Sequence, residues 1–204
     1  IHCRLGDFSS GWDHYTDENL YTKGPSPGEQ TNEYAPPESY LGPQWVPFDS
    51  RRPQSYDSWS VGVLALELLL GTPNVFTVDQ RTTVLLTTKM KKKGASDEEL
   101  QRALYLAALS QFCIYVPTST EQQKSWPHRY GDPLHNTAMT KESCTLQDFH
   151  RALRARDPLG IGFDSSTDLL LHLVWQLLAW DPMERITAAE ALQHPYFLSP
   201  DGTG

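Results

Sequence analysis

Residues 57–70 read Asp57-Ser58-Trp59-Ser60-Val61-Gly62-Val63-Leu64-Ala65-Leu66-Glu67-Leu68-Leu69-Leu70. Val61, Leu64, Ala65, Leu68 and Leu69 fall at i, i+3, i+4, i+7 and i+8, which is helical spacing. Trp59, Val63, Leu66 and Leu70 line a second face of the same helix. A helix apolar on nearly every side is expected to be buried on nearly every side, so this segment should be the centre of the fold. Gly71 followed by Pro73 ends it.

On the N-terminal side the chain reads as irregular. Residues 24–28 are Gly-Pro-Ser-Pro-Gly, and Pro36, Pro37, Pro43 and Pro47 follow. Proline fixes φ, lacks the amide donor and restricts its predecessor, which predicts loop with short extended pieces. A loop of that length inside a compact domain is usually functional or disordered. On the C-terminal side the pattern is helical. Ser96 with Glu99 forms a capping box ahead of Leu100, Ala103, Leu104 and Ala107. Thr145-x-x-Asp148 opens a short helix carrying Leu146, Phe149 and Leu153. Ser165-x-x-Asp168 is expected to open a longer one, with Leu170, Val174, Leu177 and Leu178 inward, stopping at Asp181-Pro182. Thr187-x-x-Glu190 starts a last short helix that His194-Pro195 should terminate. Residues 117–144 read as loop.

The chain has 204 residues, 39% hydrophobic and 21% charged, a globular balance with enough apolar content for a core. The longest apolar run, Val61 to Leu70, is interrupted by Glu67 and is too short to span a bilayer. No signal peptide is expected from the opening residues. With 17 Lys+Arg against 25 Asp+Glu the net charge is −8, which argues against a nucleic-acid partner. Lys89, Lys91, Lys92 and Lys93 are a local exception, expected to be a solvated helix end or loop. Cys3, Cys113 and Cys144 are odd in number and widely spaced, as in reduced thiols of an intracellular, cytoplasmic protein. Nucleophile-elbow, Cys-x-x-Cys and His-Glu-x-x-His patterns are missing from the chain.

Four segments, in order, resemble parts of the C-terminal lobe of eukaryotic serine/threonine protein kinases. Gly6-Asp7-Phe8-Ser9 looks like the Asp-Phe-Gly motif, with Ser9 at the glycine position. Thr31-Asn32-Glu33-Tyr34-Ala35-Pro36-Pro37-Glu38 looks like the Thr-x-x-Tyr-x-Ala-Pro-Glu end of an activation segment, with Pro36 in place of alanine. Asp57-Ser58-Trp59-Ser60-Val61-Gly62 resembles the start of that lobe's buried central helix. Asp181-Pro182-Met183-Glu184-Arg185-Ile186-Thr187, continuing to His194-Pro195-Tyr196-Phe197, resembles its final segment. The resemblance implies a mainly α fold, a kinase-like C-lobe helical bundle over residues 1–198. Residues 1–38 would be the activation segment, 57–70 the central helix, 89–163 a long insertion, 164–198 the terminal helices and 199–204 a tail. A narrower resemblance, in Glu29–Glu38, Gly71–Phe76 and Arg156–Phe163, is to plant kinase domains associated with a type 2C phosphatase domain.

The resemblance also assigns roles. Asp7 stands where the family holds the Mg²⁺ that bridges the nucleotide phosphates, since a hard cation takes carboxylate oxygens; taken alone it reads first as a turn-capping aspartate, and the motifs that follow reverse that preference. Glu38 and Arg185 match a buried ion pair tying the activation segment to the last helices, a structural role. Thr31 matches the threonine beside the substrate hydroxyl, or is a surface loop residue. Asp57 matches the acceptor of catalytic-loop amides and can also serve as an N-cap. Ser26, with Thr22 as second choice, is a candidate phosphosite that could order the loop through arginine pairing.

A kinase also needs a Gly-rich loop, a strand lysine and a catalytic loop carrying the base and the second metal ligand. In the family these precede Asp-Phe-Gly, and only six residues precede Asp7 here. The N-lobe and catalytic loop are therefore absent from this stretch, and the chain by itself is expected to be inactive. Two readings follow. The first is part of a Ser/Thr kinase whose parent uses ATP and Mg²⁺ to phosphorylate a protein substrate. The second is an inactive kinase-like module that binds a protein partner. Neither nucleic acid nor membrane is an expected partner.

Overall fold

The computed structural model describes residues 11–20, 31–41, 46, 51–114, 145–157 and 167–198. Among them the chain forms α1 (His14–Asn19), a 3-10 turn (Asn32–Tyr34), α2 (Pro37–Tyr40), α3 (Ser55–Leu70), α4 (Gln80–Lys92) and α5 (Asp97–Gln111). It continues with α6 (Leu146–Arg154), α7 (Asp168–Leu177), α8 (Ala188–Ala191) and α9 (Pro195–Leu198), and these described residues contain no strand.

Helix α3 is the axis of the lobe. It begins at Ser55, ahead of the expected Asp57, and closes on Gly71 in the left-handed conformation, φ 62°. One face carries Trp59, Val63, Leu66 and Leu70, all buried. The ring of Trp59 meets Phe76 at 5.7 Å, and Phe76 packs edge-on to Phe112 at 5.7 Å and to Tyr105 at 6.2 Å. Gly62 allows the end of α7 to approach closely. A Cβ there would lie 2.8 Å from Leu178 Cδ2 and 3.1 Å from Leu177 Cβ, inside contact distance.

The expectation that α3 is buried on nearly every side is corrected. Val61, Leu64 and Leu68 are 54%, 49% and 75% exposed and form one stripe at helical spacing. Helix α7, the 3-10 turn and the loop after α3 cover the opposite face, and a helix apolar all round has more surface than these neighbours can bury.

Caps behave as local chemistry requires. Ser96, Thr145 and Thr187 each accept from the backbone N–H three residues on, and Glu99, Asp148 and Glu190 return the bond. Helix α7 departs from expectation: its N-cap is Thr167, without a side-chain cap bond, and Ser165 lies outside the described residues. The short helix after Thr187 ends at Ala191, ahead of His194-Pro195, but it is not the last, because Pro195 opens α9. Helix α4 places Lys89, Lys91 and Lys92 in its last turn, where cations favour the carbonyl end of the helix dipole. It buries only Leu86 and Met90, so its apolar period is sparse. Cys113, at φ 60° just beyond α5, is disulfide-bonded, which corrects the expectation that it is a reduced thiol; Cys3 and Cys144 lie outside the described residues. Among the described residues no helix is long and apolar enough to cross a membrane.

Candidate functional site

The proline-rich segment from Thr31 to Tyr40 is held on the lobe at three levels. Thr31 is exposed and starts the 3-10 turn, its carbonyl accepting the Tyr34 N–H at 3.0 Å. Tyr34 then reaches α3: its hydroxyl donates to Glu67 Oε2 at 2.8 Å, and its carbonyl accepts from Ser60 Oγ at 3.1 Å. The other Glu67 oxygen accepts the Asn74 N–H at 3.1 Å, so one carboxylate joins this segment to the turn after α3. The Glu67 hydrogen bond is the main reason that the Tyr34 phenol is raised above its ordinary pKa. Sequence reading treats Glu67 only as an interruption; the available signal was a lone carboxylate in an apolar helix, which demands a partner.

The second level is aromatic. Tyr40 stacks on Tyr105 at 4.2 Å, and the Tyr105 hydroxyl donates to the Ala35 carbonyl at 3.2 Å. Burial first, and the charge of Glu38 second, push the Tyr105 phenol well above its ordinary pKa, so it stays protonated and remains a donor.

The third level is Arg185, fully buried, facing Glu38 at the start of α2. Its Nη1 donates to Glu38 Oε1 at 2.8 Å and its Nη2 to Glu38 Oε2 at 3.1 Å. The remaining donors go to backbone: Nε to the Ala179 carbonyl at 3.0 Å, Nη1 to Ser55 at 2.9 Å and Nη2 to Trp180 at 3.4 Å. All five guanidinium N–H groups are used, as a buried arginine requires. The cation also lies 5.1 Å over the Trp59 ring. Arg52 adds an outer clamp, donating to the carbonyls of Met183 and Arg185 and pairing with Glu190 at 3.5 Å.

The structure thus brings Glu38 and Arg185 together across 147 positions of sequence. Asp57 stands apart, exposed in the first turn of α3; the N-cap position belongs to Gln54, so the N-cap reading of Asp57 is corrected. Partial desolvation raises its carboxyl above the ordinary value although the side chain reaches water. Asp7, Ser26 and Thr22 lie outside the described residues. Beside the held segment opens a cleft of about 510 Å³, with Asn32, Glu33, Tyr40, Phe76, Thr77 and Tyr105 in its lining.

These features define a helical lobe that fixes and presents a loop. Comparison with known proteins narrows this. The sequence matches the protein kinase domain family over residues 3–197. It is 39% identical over 198 residues to a probable inactive protein kinase of Arabidopsis thaliana, covering 97% of this chain and 50% of that protein. It is 29% identical over 172 residues to the serine/threonine-protein kinase AFC3 of the same plant, covering 83% of this chain and 36% of that one. Against the mitogen-activated protein kinase spm1 of Schizosaccharomyces pombe it is 30% identical over 173 residues, 84% of this chain and 32% of the relative. No solved structure matches. The chain belongs to the protein kinase family, and its helices are those of a kinase-type C-terminal lobe. It spans half or less of the length of these relatives. A complete kinase uses ATP and Mg²⁺, but among the described residues no group of three or more His, Cys, Asp or Glu could hold a metal ion.

Proposed function

We propose that this chain supplies the C-terminal, substrate-facing lobe of a Ser/Thr protein kinase domain. In the whole protein that domain would transfer the γ-phosphoryl group of ATP to a protein hydroxyl. The observation that carries the reading is the Glu38–Arg185 lock, with every guanidinium donor used, which holds the Thr31–Tyr40 segment against the central helix. In this reading Thr31 lies beside the substrate hydroxyl, Asp7 is one metal ligand, Asp57 accepts amides from a catalytic loop and Ser26 is a regulatory phosphosite. The activation segment is 1–38, the central helix 57–70, the insertion 89–163 and the terminal helices 164–198. The exposed stripe Val61, Leu64 and Leu68 supports the reading, since it is apolar surface suited to the rest of a kinase domain. A protein substrate or partner and a cytoplasmic setting go with it.

Residues 1–204 by themselves would not catalyse the transfer. They include no Gly-x-Gly-x-x-Gly loop and no His-Arg-Asp-like run, and positioning with electrostatics supplies most of the rate in this chemistry. The second reading is an inactive kinase-like protein that works by binding a partner; the similarity to the probable inactive plant kinase favours it. Calorimetry with ATP and Mg²⁺ tests the inactivity at the binding step. No micromolar binding is expected for this chain, and clear binding that disappears in Asp7→Ala would overturn the proposal. Sequencing the transcript upstream of Ile1 separates the two readings, because a His-Arg-Asp loop with a strand lysine supports the first.

A further inference from the structure

Away from the Thr31–Tyr40 segment, two histidines meet ring to ring. His194, buried and just ahead of Pro195, brings its Nε2 to 2.9 Å from Nδ1 of His172 on α7. The ring centroids are 5.0 Å apart, and Trp175 stacks on the far side of His172 at 6.4 Å. The same His194 ring accepts the Tyr196 N–H through Nδ1, at 3.1 Å. That bond settles the tautomers by the hydrogen-bond network. An Nδ1 that accepts carries no proton, so the His194 proton is on Nε2 and points at His172. His172 Nδ1 must then be the acceptor, and its own proton sits on Nε2. Both hydrogen bonds therefore exist only while both rings are neutral.

Adding a proton defeats the arrangement whichever ring takes it. A charged His172 presents Nδ1–H to the Nε2–H of His194. A charged His194 presents Nδ1–H to the N–H of Tyr196. We propose that the His172–His194 contact is a proton-operated latch that docks the terminal turns, residues 188–198, onto α7 at neutral pH and releases them on mild acidification. The latch matters to the lobe because α9 packs on α7, and α7 packs on the central helix α3.

Among the described residues no compensating anion acts on His194. Its pKa is lowered by burial first and by the neighbouring His172 second, with no carboxylate contributing. Tyr196 is the titratable group on α9. On the other side of α7, His150 of α6 faces His172 and lies 3.5 Å from Asp168, which is also 3.9 Å from Arg154. Burial lowers the His150 pKa, and the Asp168 charge opposes that shift. Asp168 softens but does not cancel the penalty for protonating His150, so acid also weakens the α6–α7 contact, and the His172→Asn comparison isolates the response of the terminal turns. The sign follows from linkage. A histidine whose folded pKa is depressed takes up its proton more readily when undocked, so docking is complete above the ordinary value of 6.5 and is lost progressively as pH falls from there through the depressed docked value.

The test is amide hydrogen exchange on the full chain, corrected for intrinsic rates, at about pH 7.5 and about pH 5.5, the span over which histidine charges. Protection of residues 188–198 should fall by up to about tenfold at about pH 5.5, which is one unit below the ordinary histidine value of 6.5, while residues 55–70 keep theirs. In His172→Asn the amide oxygen still accepts from His194 but does not titrate, so the pH-dependent loss should shrink at least threefold. The His194 Cε1–H resonance of the unaltered chain gives an independent reading, and it should titrate in the window where protection is lost. Protection in 188–198 that does not change with pH would overturn the latch. So would His194 titration outside that window, or an undiminished loss in a folded His172→Asn chain.

Discussion

Replacing Glu38 with glutamine changes one side-chain oxygen to an amide nitrogen and removes a charge, with almost no change of shape. Its effect should be large because of what Arg185 is left with. The guanidinium is fully buried, and the Glu38 carboxylate, 1% exposed, accepts from it at 2.8 and 3.1 Å. In the variant a donor NH₂ faces one of these N–H groups, and the cation loses its only anion in a site closed to water. Removing one partner of such a pair costs about 3–5 kcal/mol, a large share of the roughly 5–15 kcal/mol that holds a domain together. With a urea slope of about 2 kcal/mol per molar, the midpoint should fall by about 1.5–2.5 M. The assay is urea unfolding followed by far-UV circular dichroism on the chain and on Glu38→Gln, Arg185→Met and the double variant. The double variant should lose clearly less than the sum of the singles, because each single strands a charge that the double does not. A loss below about 1 kcal/mol in Glu38→Gln would refute the reasoning, as would strict additivity.

The remaining predictions concern α3. Gly62→Ala places a methyl group 2.8 Å from the Leu178 side chain, so α3 and α7 must separate; a loss of about 1–3 kcal/mol is expected in the same urea assay. In Glu67→Gln the Tyr34 phenol should return toward its ordinary pKa of 10.0, read by ultraviolet titration of the folded chain against the unaltered one. The sign is fixed: the folded phenol is raised, so the stability from this contact is present below 10.0 and is lost as pH rises through the folded value. An unchanged Tyr34 titration would show that Glu67 does not hold the segment.

Features decided within four residues of chain are legible without a structure. The capping boxes at Ser96, Thr145 and Thr187 need only a short polar side chain and a carboxylate three positions on. The end of α3 at Gly71 needs only the left-handed conformation that glycine tolerates. Helix α4 escaped because it buries two side chains, too few to mark a period. For the site, the motif resemblance points to Glu38 and Arg185, yet the carbonyls of Ser55, Ala179 and Trp180 that complete the arginine carry no signal, since every residue has a carbonyl. The identity of the Glu67 partner and the meeting of His172 with His194 were unreadable for a similar reason: a side chain's worth depends on what faces it.

By itself, then, the amino-acid order determined a helical lobe, the position of its central helix and its membership of the kinase family, because periodicity, caps and motifs are local properties. Tertiary structure decided which apolar surfaces are buried. Trp59 and Leu66 are covered while Val61 and Leu68, equally apolar, face solvent. It also decided which polar groups are satisfied, joining Glu38 to Arg185 and His172 to His194. Burial and hydrogen bonding are relations between surfaces brought together only by folding.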